Sequence, residues 1–180
     1  IPFLPPTEKI NDPASPAEGA GRFVYPPSTN ATLNLAATAA QCARVFADFD
    51  DSFASRCLVA AEKAYVAAAE FPNEFTGSVP GSGGGPYHDG GTLDVWDWAA
   101  AELYATTGDE AYLSDMEDNR HHLTVIEKGG AMSWGSTMVL GLITTSQSPP
   151  DAQVSSDATD ALVANADRLV ELASSQGFRP

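Results

Sequence analysis

Six segments of this chain have apolar residues at helical spacing, and no segment shows the alternation typical of a β-strand. The first segment begins at Ser28 or Asn30 and runs to about Phe49. Small or apolar residues cover it except for one narrow polar stripe, which comprises Asn34, Thr38, Gln41, Arg44 and Asp48. A helix of this kind is buried around most of its circumference, so the chain predicts an all-α fold with a deeply packed helix.

The six segments form three successive pairs. Their predicted ranges are about Ser28 or Asn30 to Phe49, Ser52 to Phe71, Leu93 to Thr107, Glu110 to Asn119, Met132 to Thr145 and Ser156 to Gln176. In each pair the first helix is the more apolar and the second is more clearly amphipathic, as expected of helical hairpins in two concentric layers. The pairs start about 61 and 40 residues apart, so the regular period of a tetratricopeptide array is missing.

The composition indicates a folded globular protein that binds neither nucleic acid nor membranes. Hydrophobic residues make up 43% of the chain and charged residues 18%, unlike an acidic disordered tail. A formal net charge of -15 repels phosphate backbones and anionic lipid. No apolar run approaches the length of about 20 residues that a transmembrane helix needs.

Two stretches without helical periodicity flank the first hairpin. Residues 1–29 hold more than half of the 13 prolines, so we expect an extended lead-in that packs on a helical domain formed by residues 30–180. Residues 73–92 form a glycine-rich loop, and long ordered loops are often functional. Its glycine run, residues 81–85, follows no strand, so a flexible loop is favoured over a phosphate cradle.

Candidate site residues gather where this loop meets the third helix. Asp89 lies near the end of the loop, and Asp94 and Asp97 are predicted in the first helical turn. The simpler interpretation of the two helical aspartates is capping charge, which the helix dipole favours. Alternatively, Asp89, Asp94 and loop carbonyls hold one Ca²⁺, which binds several oxygen ligands.

Three tryptophans are interpreted in two ways. Trp96, Trp98 and Trp134 have apolar neighbours, which favours a place in the core. Trp134 also lies near the predicted start of the fifth helix. If the two concentric helical layers form a toroid, an aromatic side chain at this position would present its face to a sugar ring.

The two cysteines are predicted on adjacent helices. Cys42 and Cys57 lie at similar distances from the turn between the first and second helices. Helix axes are typically about 8 to 10 Å apart, farther than a relaxed disulfide prefers. We therefore expect two buried thiols, and the sequence leaves open whether they are bonded.

Four stretches of the sequence resemble the motifs of one known protein family. Residues 26–41, PPSTNATLNLAATAAQ, are similar to the family segment PPSTxATLNxAAxxAQ. Residues 83–89, GGGPYHD, and residues 98–108, WAAAELYATTG, resemble the family's GGGPYDD loop and FYWAAAELYxTTG helix. Residues 132–135, MSWG, resemble its M[ST]WG helix start. Together these motifs resemble glycoside hydrolase family 9, the cellulases with an (α/α)6 barrel. The resemblance implies that this chain forms about half of the barrel of a secreted enzyme that cleaves β-1,4-glucan by inversion.

Two motifs that the resemblance makes essential are missing. The family takes its general base from an upstream DAGD motif and its general acid from a Glu near the C-terminus, and this chain has neither. Inverting hydrolysis needs both carboxyls, one to protonate the leaving oxygen and one to activate water. We therefore expect no catalytic residue in this chain. The alternative is an inactive helical scaffold that binds carbohydrate or another protein.

The resemblance nevertheless assigns substrate binding to three residues. The family equivalent of Tyr87 lies close to the catalytic water and to the sugar at the cleavage point. His88 neighbours it in the same loop, and Trp134 inherits a sugar-stacking role.

A structural Ca²⁺ is the only cofactor that the resemblance implies, and none is required for the chemistry. The family's DxxSDE run implies Asp89 and Asp94 as ligands, although the two residues are five positions apart here and four apart in the run. Leu93 and Val95 replace the Ser and the Glu of that run, which removes ligand oxygens.

The expected partners are a β-glucan and the remaining part of the catalytic domain, on the same or a separate polypeptide. An isolated half-barrel would expose inner-helix residues such as Leu140, Leu142 and Ile143. Contiguous apolar patches usually mark a partner surface, so we expect the chain to associate with further polypeptide or with itself.

Overall fold

The fold consists of helices connected by loops. A computed structural model describes residues 27–75, 90–118, 135–147 and 151–177. Six helices lie in these ranges: α1 (Thr29–Phe46), α2 (Asp51–Glu70), α3 (Leu93–Thr107), α4 (Glu110–Asp118), α5 (Met138–Gln147) and α6 (Ala152–Ser175). The described residues contain no β-strand, which confirms the all-α prediction, and none of their helices is long and apolar enough to cross a bilayer. The predicted lead-in lies almost entirely outside these ranges, so the division at residue 29 stays a prediction.

The helices form two layers. In the inner layer α1 packs against α3, and α3 packs against α5. In the outer layer α2 covers α1, α4 covers α3, and α6 covers α5. Burial follows the same division, because nine residues of α3 are buried whereas α6 buries only Ala158. The predicted three hairpins with a buried first member are therefore confirmed.

Local capping explains three of the helix ends. The Ser28 side chain accepts a hydrogen bond from the Ala31 amide at the start of α1, and Asp50 accepts one from the Phe53 amide at the start of α2. Gly108 ends α3 with a φ of 70°, a left-handed conformation that glycine adopts without steric cost. These three boundaries agree with the sequence prediction to within one residue.

Two helix starts differ from the prediction. α5 begins at Met138, six residues later than expected, because the Thr137 amide and hydroxyl both donate to Asp94 on α3 and hold Thr137 outside the helix. α6 begins at Ala152, four residues earlier than expected. Asp151 caps it by accepting from the amides of the second and third helical residues, directly after the Pro149–Pro150 pair.

The predicted exposure of the α5 face is wrong in part. Leu142 is fully buried, because α6 covers it and packs Ala158 against it. Leu140 is half-buried against the main core, whereas Ile143 is 38% exposed. The outer helix therefore shields much of the surface that the sequence analysis assigned to a partner.

The centre of the inner layer holds a buried carboxylate. Glu102 on α3 is 1% exposed and forms an ion pair with Arg44 on α1. Its Oε1 accepts hydrogen bonds from Trp98 Nε1 at 3.0 Å and from Thr144 Oγ1 on α5 at 2.7 Å. Arg44 also donates to Thr106 Oγ1 at 2.7 Å. These five residues, the Glu102 cluster, connect all three inner helices.

Replacing Glu102 is expected to destabilise the protein strongly. In Glu102→Ala the Arg44 charge and the Trp98 and Thr144 donors lose their acceptor, which costs about 3 kcal/mol of unfolding free energy. Chemical denaturation of the full-length protein measures this loss. The double variant Arg44→Met, Glu102→Leu removes both charges and is expected to recover much of the loss. A loss below about 1 kcal/mol in Glu102→Ala would contradict the central role of the cluster.

α3 and α5 approach each other closely at Gly141. A Cβ atom at this position would lie 3.2 Å from Trp98 Cα and 3.4 Å from Ala101 Cβ. The nearer atom belongs to the backbone of a buried helix, so it cannot move aside without shifting α3.

Gly141→Ala is therefore expected to destabilise the protein, although alanine favours helices. Overpacking against a backbone typically costs about 1 to 3 kcal/mol, which exceeds the helix-propensity gain of about 1 kcal/mol. Gly135→Ala is the matched control, because a Cβ there would meet nothing within 4 Å. Thermal unfolding should show a lower midpoint for Gly141→Ala than for Gly135→Ala, and equal midpoints would contradict the close approach.

Candidate functional site

The N-terminal ends of the three inner helices meet at one side of the fold. Asn30, in the first turn of α1, donates through Nδ2 to the Gly91 carbonyl before α3 at 3.0 Å. Thr137, just before α5, donates to Asp94 Oδ2 from its amide at 2.7 Å and from Oγ1 at 3.1 Å. We call this side, defined by Asn30, Gly91, Asp94 and Thr137, the inner rim.

Most of the predicted site residues lie outside the described ranges. These are Tyr87, His88, Asp89 and Trp134. Asp89 directly precedes Gly90, and Trp134 directly precedes Gly135. The described residues resume at these two glycines, one and two positions before the inner-rim residues Gly91 and Thr137. The sugar-binding roles of Tyr87, His88 and Trp134 therefore stay predictions, and Asp94 is the one predicted site residue that the described ranges contain.

Asp94 links two helices. It lies in the first turn of α3, as predicted, but its carboxylate hydrogen-bonds to the residue before α5. An anionic group near a helix N-terminus is favoured by the helix dipole and by the unpaired amides there. Asp94 thus stabilises the start of α5 and fixes that helix against α3.

The described residues alone do not form a calcium site. Within the described ranges, no group of three or more His, Cys, Asp or Glu side chains lies close enough to hold a metal ion. Asp94 Oδ2 already accepts two hydrogen bonds from Thr137, and the neighbouring Val95 is a buried apolar residue. The second predicted ligand, Asp89, lies outside the described residues, so calcium binding stays a prediction.

Asp97 is a buried carboxyl one turn beyond Asp94. It is 1% exposed and lies in the second turn of α3, so its interpretation as a first-turn capping charge is wrong. Its Oδ2 is 3.4 Å from the position that a Cβ on Gly141 would occupy, which places it in the α3–α5 contact. Burial raises the pKa of Asp97 well above its ordinary value of 3.8, and the Asp94 charge raises it further.

The raised pKa predicts that Asp97 destabilises the fold as the pH rises. The native state binds this proton more tightly than the unfolded state, so the stabilising contribution is complete below the unfolded pKa and is lost as pH rises through the folded pKa. The side-chain amide introduced by Asp97→Asn cannot ionise. We therefore expect the unfolding midpoint of Asp97→Asn, relative to the parent, to increase between about pH 4 and pH 8.

Thermal unfolding of the full-length protein at several pH values measures that difference. Asp160→Asn, at an exposed position on α6, is the control for removing an aspartate charge. A difference between Asp97→Asn and the parent that stays constant with pH, or that falls as pH rises, contradicts the assignment.

An aromatic cluster lies beside the inner rim. The ring of Tyr65 on α2 meets those of Trp96 and Tyr112 edge to face, at centroid distances of 5.0 and 5.2 Å. The Tyr65 hydroxyl donates to Asp115 Oδ2 at 2.7 Å, and burial raises the pKa of Tyr65. Trp96 is half-buried and lines an open cavity of about 390 Å³, whereas Trp98 is 8% exposed, which confirms its predicted place in the core.

Thr137 and Glu102 have roles that the sequence predictions missed. Thr137 lay inside the predicted fifth helix, so its capping position was not visible. Glu102 is a charged residue that follows three alanines in a helix buried on most sides. That burial was the available signal, because a charged side chain there needs a partner.

The family comparison covers almost the whole chain. The model of glycosyl hydrolase family 9 matches residues 6–178. The chain is 39% identical, over 88% of its length, to a cellulose 1,4-beta-cellobiosidase of Acetivibrio thermocellus, and it covers 20% of that protein. It is 34% identical, over 99% of its length, to endoglucanase C of Cellulomonas fimi, and it covers 15% of that protein. The chain thus spans no more than about a fifth of these relatives.

The fold has a counterpart among solved structures. The crystal structure of family 9 endoglucanase J30 superposes with a TM-score of 0.72 at 33% sequence identity. The match covers 84% of this chain and 28% of that one. The two helical layers described here therefore correspond to one part of a larger fold.

Proposed function

Because the chain belongs to glycosyl hydrolase family 9, we propose that it forms one wall of the substrate cleft in an enzyme that hydrolyses β-1,4-glucan with inversion. The observation that carries the proposal is the inner rim, at which three inner helices of the family fold begin side by side. The names of the relatives, a cellobiosidase and an endoglucanase, support the substrate class. Tyr87 and Trp134, to which the resemblance assigns sugar binding, precede α3 and α5 along the chain, and this supports a cleft on this side of the fold.

In this proposal the chain binds and orients the sugar. Tyr87, His88 and Trp134, in the segments that precede α3 and α5, contact the glucan near the bond that is cleaved. The general base and general acid come from the remaining part of the catalytic domain, since this chain lacks both motifs. Asp97 takes no part, because its carboxyl is buried in the contact between α3 and α5.

The remaining part of the domain is proposed to pack on exposed apolar residues of the first and last helices. α6 has 24 residues, whereas α5, the helix that it covers, has only 10 residues. Much of the length of α6 therefore has no described helix beside it. Apolar side chains on that stretch are exposed, among them Leu169, Val170 and Leu172. Leu35 on α1 is 53% exposed at the opposite edge of the inner layer. Exposed apolar patches of this kind usually mark a protein interface.

The proposed site of action is outside the cell. Cellulose-type glucans are polymers too large to be taken up before cleavage, and this supports a secreted enzyme. We also propose that Asp89 and Asp94 hold a structural Ca²⁺. No step of the hydrolysis depends on that ion.

Hydrolysis and its stereochemistry test the proposal. The full-length protein should release reducing ends from a soluble cellulose derivative, and proton NMR of a cello-oligosaccharide digest should show the α-anomer first. Tyr87→Phe is expected to lower kcat/KM about tenfold, because a hydrogen bond near the reacting centre is lost. Tyr112→Phe, in the aromatic cluster on the outer helix α4, is the matched control and should retain activity.

Three results would contradict parts of the proposal. Initial release of the β-anomer contradicts inversion. Equal activity of Tyr87→Phe and Tyr112→Phe contradicts the role of Tyr87. Binding of the glucan without any release of reducing ends favours the alternative, an inactive carbohydrate-binding scaffold.

A further inference from the structure

Cys42 and Cys57 lie much closer together than the sequence predicted. Both are free thiols, as expected, but their Sγ atoms are 2.6 Å apart across the α1–α2 contact. A disulfide bond is about 2.05 Å long, so only a shift of about 0.5 Å separates the two sulfurs from bonding distance. Cys57 is 9% exposed, whereas Cys42 is only half-buried, so the prediction of two buried thiols is wrong for Cys42.

Small side chains explain this approach. Alanines near both cysteines along the chain are buried: Ala39 and Ala43 on α1, and Ala54 and Ala61 on α2. Helix axes lie closer together where the side chains at the contact are small, so the typical spacing of about 8 to 10 Å predicts too large a distance between the two sulfurs.

The register of the hairpin holds the two thiols opposite each other. One turn beyond Cys42, the ring of Phe46 meets that of Phe53, one turn before Cys57, edge to face at 4.9 Å. The intervening turn is fixed by Asp50, whose amide donates to the Phe46 carbonyl at 2.8 Å and whose side chain accepts from the Phe53 amide. The juxtaposition of the sulfurs is thus part of the packed hairpin.

We propose that Cys42 and Cys57 form an intrachain disulfide that cross-links α1 to α2 when a small-molecule disulfide is present as oxidant. The inference goes beyond the proposed hydrolase function and does not depend on it. The cross-link closes a loop that spans the turn between the two helices, and it restricts the unfolded chain more than the folded one.

The chemistry is two successive thiol–disulfide exchanges. The more exposed Cys42 thiolate attacks one sulfur of the small disulfide, forms a mixed disulfide and releases one small thiolate. The Cys57 thiolate then attacks Cys42 Sγ, forms the protein disulfide and releases the second small thiolate. Two protein thiols are oxidised and one small disulfide is reduced to two thiols. The hydrogen bond to Cys57 raises the pKa of the Cys42 thiol, so the reaction should accelerate as the buffer becomes more alkaline.

Alkylation of the full-length protein after incubation with oxidised glutathione tests the proposal. After denaturation, iodoacetamide should label neither Cys42 nor Cys57, and peptide mapping should find the two residues in one cross-linked peptide. Dithiothreitol should restore both labels and lower the thermal unfolding midpoint by about 5 °C. The double variant Cys42→Ser, Cys57→Ser should show no shift of the midpoint with reductant. Cys57→Ser alone should retain glutathione on Cys42, because the second exchange is blocked.

Several outcomes would overturn the proposal. Full labelling of both cysteines after the incubation shows that no bond forms. Glutathione that stays on Cys42 of the parent protein shows that Cys57 does not reach it, and a cross-link between two chains shows that the partner thiol is intermolecular. These readouts use no substrate, so they remain informative even if the full-length protein hydrolyses no glucan.

Discussion

The buried Glu102 carboxylate is the constraint on which the arrangement of the inner helices depends. A carboxylate removed from water is costly unless charged or hydrogen-bonding partners replace its hydration. Here those partners come from three helices: Arg44 on α1, Trp98 on α3 itself and Thr144 on α5. A sliding of α1 or α5 along α3 by one turn would leave the charge unpaired. The cluster therefore selects one register among the many that alanine-rich surfaces would allow.

That register determines how the helix N-termini are arranged at the inner rim. Because the three helices do not slide along one another, their N-terminal ends lie side by side. The Asn30–Gly91 and Asp94–Thr137 hydrogen bonds join these ends directly. The two segments that carry the proposed sugar-binding residues therefore connect to a rigid base. Rigid support matters for a hydrolase, since catalysis depends on holding the reacting groups in a narrow range of positions.

The sequence predicts the helices well and the interactions between them poorly. Periodicity and capping residues located α1, α2 and α3 closely, because Ser28, Asp50 and Gly108 act within their own turns. The start of α5 was misplaced because Asp94, 43 residues away along the chain, decides it. The same reason hid the Glu102 cluster, whose ion pair joins residues 58 positions apart. The candidate site came from the family resemblance, since isolated residues such as Tyr87 carry no local signal of sugar binding.

The raised pKa of Asp97 also changes how the folded chain behaves in an electric field. The formal net charge of -15 counts every carboxyl as ionised. Between the ordinary pKa of Asp97 and its raised value in the fold, the native chain retains one proton that the unfolded chain has released. In that pH range the net charges of the two states therefore differ by one elementary charge, and this difference affects their electrophoretic mobilities in addition to the difference in size. Unfolding also releases a proton to the buffer.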